Sequence, residues 1–388
     1  MKGSDAGQAA PAGGRYVVRQ GPSRRWMTVF CTLLALSVAG AVALTYAGIK
    51  TVRASRAGQA VSTVTDPAAP GFEAFLEPTP TLAIVHRSGS EVRSIAVLAL
   101  SSGDVGGTLL LVSPDTYAHE GDPATIGGAA AFSGNPEAAL APLQRGVRFG
   151  ITESVLIDDA RWAEVVEPVA PLEVDNPSEV AGFPAGPITL PPEQVGAYLA
   201  AVDPGESPQQ AVLRQRAFYR AWLDAVATSG DVVAAVPGEV DSGLGRFVRG
   251  VAAGPHRIDL APVAEELVDG AYRTDMDIAA MAGLVPELVP FPIAAQPGDR
   301  VRVRLLDGTG DAEHVQRAAP LVVPADAEIV VVGNADAFDY RETEIRYHNP
   351  LVEVQARALQ AALGTGRLVD DPRQTDAFDV TIVLGTDL

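Results

Sequence analysis

The side chains that most often carry chemistry are scattered along this chain of 388 residues. His86, His119, His256, His314 and His348 keep none of the short spacings that let imidazoles share a metal ion. Ser154 and the other serines lie in no Gly-x-Ser-x-Gly turn, so a hydrolase nucleophile is unsupported. Gly127-Gly128 is followed by no Lys-Ser/Thr pair and is not a phosphate loop. Asp158-Asp159 could chelate a cation. Their place between a strand pattern and a helix pattern suits N-capping better, where a carboxylate accepts hydrogen bonds from the free amides of the first turn. Arg214, Gln215 and Arg216 fall within one amphipathic helix pattern, where they either face a ligand or line its solvated side. Arg93 reads as a strand-end arginine and Asp115 as a turn residue, a position that favours aspartate in any case.

The elements that must hold these side chains alternate. TLAIVHR, SIAVLALS and GGTLLLVSPDT read as strands, rich in Leu and β-branched residues. A Gly- and Ala-rich loop is expected from Glu120 to about Pro136. PEAALAPLQRGVRFG reads as a helix with a Gly stop, ESVLIDD as a strand, ARWAEVVEPVA as a short helix and LEVDNP as an edge strand. LPPEQVGAYLAAV and SPQQAVLRQRAFYRAWLDAVATSG are helices. In the second of these, Val212, Phe218, Trp222 and Ala225 keep helical spacing. This alternation predicts an α/β layered fold. The Pro-rich segment 286–298 is the expected boundary, and beyond it the strand and helix patterns run β-α-β-β-α-β, an order seen in ferredoxin-like domains.

A different signal comes from the N-terminal end. From Trp26 to Ile49 no side chain is charged, and as a helix the run reaches roughly 36 Å, enough for a hydrocarbon core of about 30 Å. Lys2, Arg15, Arg19, Arg24 and Arg25 precede it and Lys50, Arg53 and Arg56 follow it. The bias favours a cytoplasmic N-terminus. The run is longer than a signal-peptide core, although small residues such as Ala41 and Ala43 leave cleavage open. The expected plan is a cytoplasmic tail at 1–23, a transmembrane helix at 24–49, a linker at 50–77, a main domain at 78–285, a linker at 286–298 and a C-terminal domain at 299–388. It describes a single-pass protein of the cell membrane with an extracytoplasmic body. The chain carries a net charge of −19, yet residues 1–49 hold five basic side chains against one acidic, so the body is more acidic than the whole. Such a surface repels DNA and RNA, and nucleic acid is not an expected partner. Cys31 is the only cysteine and lies inside the apolar run, which excludes a disulfide framework within the chain. Lysine is confined to Lys2 and Lys50 while arginine is common, a skew typical of GC-rich, actinobacteria-like genomes.

The C-terminal pattern resembles the C-terminal domain of LytR-CpsA-Psr proteins. A strand runs into Asp307-Gly308-Thr309-Gly310, VVVGNAD follows, and a last apolar strand ends in Gly385-x-Asp387. The likeness covers roughly 299–388. Between about 80 and 230 the chain resembles the family's main domain more faintly. Arg93-Ser94 is similar to its Arg-Ser-Asp start, Val112-Ser113-Pro114-Asp115-Thr116 to its Ser-x-Pro-Arg-Asp-Thr turn, Leu190–Leu199 to the helix ending Ala-x-Tyr-Val-Arg, and Leu213-Arg214-Gln215 to the Arg-x-x-Arg-Gln helix. The resemblance implies an enzyme of the bacterial cell envelope. It would move glycopolymers from a polyprenyl-pyrophosphate lipid to peptidoglycan or a similar acceptor, with arginines on the pyrophosphate and a carboxylate holding Mg²⁺. The lipid tail would need an apolar tunnel.

Where that chemistry belongs, this sequence departs. Ile95 stands at the carboxylate position, Asp115 follows Pro114 with no arginine between, and Ala200 and Ala211 replace two arginines. Arg93, Asp115, Arg214 and Gln215 remain as candidate phosphate or ligand contacts, and no residue is assigned a catalytic or metal-binding role. Loss of several charge-stabilising groups together removes most transferase activity. The leading expectation is a non-catalytic envelope protein that binds a wall polymer, a polyprenyl-linked intermediate or a partner protein. A second reading is an active, Mg²⁺-dependent phosphotransferase using Arg93, Asp115, Arg214 and an unaligned arginine such as Arg145 or Arg148. A third is an adaptor acting through 299–388.

Overall fold

The computed structural model describes residues 64–372 and 377–388. All of them fall in one compact unit. The expected cytoplasmic tail, transmembrane helix and the first part of the linker lie outside the described residues. Among the described residues no helix is long and apolar enough to cross a membrane.

In chain order the first elements are strands β1 (Glu73–Phe75), β2 (Thr81–Ser88), β3 (Glu91–Leu100), β4 (Gly107–Val112) and β5 (Thr116–Tyr117). Helices α1 (Ile126–Ser133) and α2 (Leu140–Val147), strand β6 (Glu153–Asp158) and helix α3 (Asp159–Val166) follow. Next come a hairpin of β7 (Leu172–Asn176) and β8 (Gly186–Leu190), then helices α4 (Val195–Ala200), α5 (Pro208–Thr228) and α6 (Gly243–Ala252). Strands β9 (His256–Leu260), β10 (Val263–Val268) and β11 (Ala271–Met276) and helix α7 (Ile278–Leu288) close this part. The last part runs β12 (Val301–Asp307), α8 (Glu313–Val322), β13 (Ala327–Asn334), β14 (Glu344–Tyr347), α9 (Glu353–Leu363), β15 (Arg367–Asp370) and β16 (Val380–Leu384).

The first sheet has the order β6-β2-β3-β4-β9. Its central strands are apolar on both faces because both faces are covered, which is why SIAVLAL reads as a continuous run rather than an alternation. Leu82, Ile84, Ala96, Leu98, Leu109 and Leu111 point to one layer, built from α3, α4, α5 and α6. Ala83, Val85, Ile95, Val97, Leu110 and Val112 point to the other, where Val147, Met281 and Val285 join them. That second core is continuous with Val303, Leu305, Ile329 and Ile382 of the C-terminal sheet.

Several expectations need correction. The Gly- and Ala-rich loop at 120–136 contains α1. Thr125 Oγ1 accepts from the Gly128 amide at 3.0 Å, and Gly134 ends the helix in the left-handed region. Two internal glycines and a featureless Ala run hid a helix with good caps. Helix α2 stops not at Gly150 but at Arg148, which itself takes φ 65°. LEVDNP is not an edge of the main sheet; β7 pairs only with β8, which the pattern reading missed. It also missed the elements between 231 and 285.

In chain order the β-α-β-β-α-β succession holds with one strand added, but the split, ferredoxin-like pairing does not. The C-terminal sheet has the order β1-β13-β12-β16-β14-β15, with β12 hydrogen-bonded in parallel to both β13 and β16. Strands β12 and β13 are therefore direct neighbours, whereas a split unit would place another strand between them. An additional strand, β15, lies at one edge. At the other edge β1, drawn from the stretch read as linker, pairs antiparallel with β13. Gly333 permits this, because a Cβ there would sit 2.1 Å from the Phe72 carbonyl oxygen. The Pro-rich stretch after α7 is tied down as well. The Thr79 amide donates to the Phe291 carbonyl at 3.0 Å and the Gly150 amide to the Ile293 carbonyl at 2.8 Å.

Candidate functional site

Arg93 lies where β2 and β3 slip out of register: His86 faces Ser94 and Arg87 faces Val92, so Arg93 is the extra residue of a bulge. The bulge frees its carbonyl, which accepts from Gln215 Nε2 at 3.0 Å. Its half-exposed side chain pairs with Glu91 of the same strand. Asp115 sits in the turn after β4, with its amide donating to Ser113 Oγ at 3.2 Å. Crowding lifts the Asp115 carboxyl above its ordinary value, Arg93 pulls it back down and Glu91 pushes it up. The residue is nonetheless exposed, so solvent screening keeps these influences small. Arg93 and Asp115 are thus near each other, as the resemblance implies.

Arg214 and Gln215 are placed otherwise. Both lie on the buried stripe of α5, between Val212 and Phe218, so neither the ligand-facing nor the solvated reading holds for them. Arg214 is 1% exposed. Its Nη1 and Nη2 fork onto Glu206, the Nη2 bond measuring 2.8 Å, and Nη2 also donates to the Ala201 carbonyl at 2.8 Å. Nη1 reaches Ser178 Oγ at 3.3 Å. Burial lowers the Arg214 pKa, with Tyr198 and Asp203 opposing, but an arginine stays charged in any working buffer. This guanidinium locks the connection between α4 and α5 and is not free for a phosphate. Gln215 Nε2 bridges the Arg93 carbonyl and the Leu199 carbonyl, at 3.0 and 3.1 Å. The four candidates therefore divide into a surface pair, Arg93 and Asp115, and two buried braces.

Asp115 has one carboxylate close by, Glu91, which is paired with Arg93, and Ile95 is fully buried in the core. Among the described residues, no group of three or more His, Cys, Asp or Glu is placed to hold a metal. Between the first sheet and helices α3 and α5, Trp162, Phe218, Tyr219 and Trp222 are fully buried. Trp162 meets Phe218 and Trp222 edge-on at 5.4 Å each, and Phe218 stacks on Trp222 at 6.0 Å. Trp162 Nε1, Trp222 Nε1 and Tyr219 Oη lack hydrogen-bond partners among the described residues. Burial pushes the Tyr219 hydroxyl up, and its neighbour Ser94 pulls the other way.

Asp158 caps α3 as expected, accepting from the Arg161 amide at 2.9 Å. Asp159 does something the sequence did not suggest. Its Oδ1 is 2.8 Å from His86 Nε2, and its Oδ2 accepts from Ser88 Oγ at 2.7 Å. His86 is fully buried. Burial lowers its pKa, outweighing the hydrogen bond and charge of Asp159, so the ring is neutral near pH 7 and Nε2–H donates. The unfolded chain then binds more protons than the folded one as pH falls below about 6.5, and stability drops with pH over that window. His86→Gln should flatten this loss: thermal melts of the two proteins from about pH 6.5 downward should diverge in slope, and parallel curves would refute the assignment.

The arginines that do converge lie elsewhere. Arg145 and Arg148, from the end of α2, line a cleft of about 310 Å³ together with Arg300, which leads into β12. Arg148 pairs with Asp326 at 2.5 Å. Arg216 and Arg220 line a second groove, of about 400 Å³, but Glu173, Asp175 and Asp224 share its walls.

The residues that carry the C-terminal pattern are turn anchors. Asp307 Oδ1 accepts from the Thr309 amide and hydroxyl at 2.8 and 2.7 Å. Asp387 Oδ1 accepts from the Thr343 amide and hydroxyl at 2.9 and 2.7 Å, and Oδ2 accepts from Thr365 at 2.7 Å. Burial works upward on the Asp387 carboxyl, but these hydrogen bonds prevail and hold it below its ordinary value.

Residues 300–388 match the family model of the LytR C-terminal domain, described as LytR cell envelope-related transcriptional attenuator. The chain therefore carries a domain of that type, in the segment picked out by its turn residues. No curated protein matches the chain. Among solved structures, TagT of B. subtilis is 12% identical, with 59% of this chain and 95% of that one covered and a TM-score of 0.43. TagV of B. subtilis is 16% identical, covering 55% and 96%, with a TM-score of 0.43. A LytR-Csp2A-Psr enzyme from Actinomyces oris is 17% identical, covering 56% and 89%, with a TM-score of 0.40. TagT has also been solved with bound octaprenyl pyrophosphate lipid.

Proposed function

We propose that this chain is a membrane-anchored, extracytoplasmic protein of the bacterial cell envelope, built on the LytR-CpsA-Psr plan but without transferase activity. The observation that carries the reading is Arg214. The candidate retained in the helix pattern is buried and forked onto Glu206, so it stabilises the protein's own loop and not a pyrophosphate. Two further features support it. The one carboxylate close to Asp115, Glu91, is paired with Arg93, and the layer between the first sheet and helices α3 and α5 is filled by the aromatic cluster. Electrostatic stabilisation of a leaving pyrophosphate needs several preorganised cations. Near the Asp115 turn, Arg93 is half-exposed and already paired with Glu91.

In this reading the apolar run at 24–49 holds the protein in the membrane with its C-terminus outside, and the body acts by binding an envelope component, a polyprenyl-linked glycopolymer, peptidoglycan or another envelope protein. The purified full chain, incubated with a polyprenyl-pyrophosphate substrate and Mg²⁺, should show pyrophosphate cleavage no faster than buffer. Robust turnover would overturn the non-catalytic assignment. A C-terminal reporter active only in the cytoplasm would overturn the placement.

A further inference from the structure

We infer that the cleft between the end of α2 and the entry to β12 is a binding site for a compact phosphate-type oxyanion. The inference does not rest on the proposed function. It starts from Arg300, which is 5% exposed. Its Nε and Nη2 donate to the Arg148 carbonyl at 3.0 and 2.6 Å, and Nη1 donates to the Val323 and Ala327 carbonyls at 3.1 and 2.9 Å. Carbonyl dipoles solvate the guanidinium without cancelling its charge. Among the described residues no carboxylate lies within ion-pair distance of Arg300, although Asp326, Glu328 and Asp299 are near enough to influence it, and the neighbouring Arg148 acts the other way. Burial lowers its pKa to about 10. A buried cation with no directly paired counter-charge is costly, and an anion delivered to the cleft would relieve that cost. A guanidinium has five N–H bonds, and one on Nη2 remains undonated.

The neighbours add to the case. Arg148 ends α2 with φ 65° and Asp326 faces it with φ 61°, both in a region that favours glycine. Glycine would close such a helix at lower cost. Arginine at 148 instead serves twice: its carbonyl holds Arg300 and its side chain meets Asp326 at 2.5 Å. Arg145 is the loosest of the three, 43% exposed and 3.5 Å from its nearest carboxylate, Asp122. Asp299 is committed to a turn, accepting from the Gln296 amide at 3.0 Å. The cleft thus gathers three guanidinium groups against two lining carboxylates, in a chain of net charge −19. Guanidinium forks match oxyanion geometry. Ile278 and Ala295 are the apolar members of the lining, which gives no wall for a prenyl tail. The space suits a free phosphate or the phosphate end of an ester.

The competing account is that these charges only cement the seam, and titration calorimetry on the full chain separates the two. Inorganic phosphate should bind in a salt-sensitive way, and Arg145→Ala should weaken binding roughly tenfold. That variant leaves the Arg148–Asp326 pair and the Arg300 bonds intact, so it should fold. Arg161→Ala, in a surface pair on α3, should bind as the parent does. Glucose 1-phosphate binding as tightly as phosphate identifies an ester terminus as the ligand; binding of phosphate alone identifies the free ion. Malonate binding as tightly as phosphate would overturn the phosphate class. No heat at roughly 10 mM phosphate, or equal losses in Arg145→Ala and Arg161→Ala, would overturn the site.

Discussion

Arg214→Ala should cost about 3–5 kcal/mol of folding stability, because it strands the Glu206 carboxylate in a buried setting. The side chains are 1% and 8% exposed, so solvent cannot rehydrate the survivor without opening the α4–α5 connection. The Ala201 carbonyl and Ser178 hydroxyl lose their donor in the same step. Against a typical total of about 5–15 kcal/mol, the loss is large enough to read as a lowered denaturant midpoint with little change in the slope of the transition. A second variant distinguishes stranding from simple loss of contact. Arg214→Met with Glu206→Leu removes both charges and keeps most of the volume, so it should recover much of the stability. If Arg214→Ala left the midpoint in place, the guanidinium would not be bracing the loop, and the phosphate role would return.

Arg214 also marks the limit of what could be read from the residues. The helix around it was legible, since Val212, Phe218 and Trp222 recur at helical spacing and end up buried. What its charge does was not. The answer depends on Glu206, eight positions back in a loop, whose direction no periodicity encodes. The first sheet was legible for a similar reason: β2, β3 and β4 bury both faces and so announce themselves as unbroken apolar runs. Sheet order was not, because pairing of β12 with both β13 and β16 joins strands across long stretches of chain. The same distance hid the arginine cleft. Arg145 and Arg148 meet Arg300 only after the C-terminal sheet docks, and the three are unremarkable in their own segments. Turn chemistry was legible at Asp307, which anchors its turn through Thr309 two positions on, but not at Asp387, whose partner Thr343 lies 44 positions back in the chain.

Trp222→Ala tests whether the layer beside the first sheet is a plug or a collapsed tunnel. Trp222 is fully buried and touches Trp162, Phe218 and Tyr219, at ring distances of 5.4, 6.0 and 6.2 Å. Truncating such a ring costs about 3–5 kcal/mol, the lost transfer energy plus a cavity that rigid neighbours cannot fill. The surrounding rings make collapse difficult, because edge-to-face contacts fix their orientation. The hole would be walled mainly by aromatic rings, and holes of this kind accept small aromatic molecules. Added indole should therefore raise the melting temperature of Trp222→Ala and leave the parent unchanged, the gain growing with the logarithm of indole concentration. A tunnel that merely closes when empty predicts otherwise: the parent would already be stabilised by an apolar ligand such as farnesol, and the substitution would cost well under about 3 kcal/mol because its walls can move. Stabilisation of the parent by farnesol would thus return lipid binding to this layer, with Trp222 as its gate.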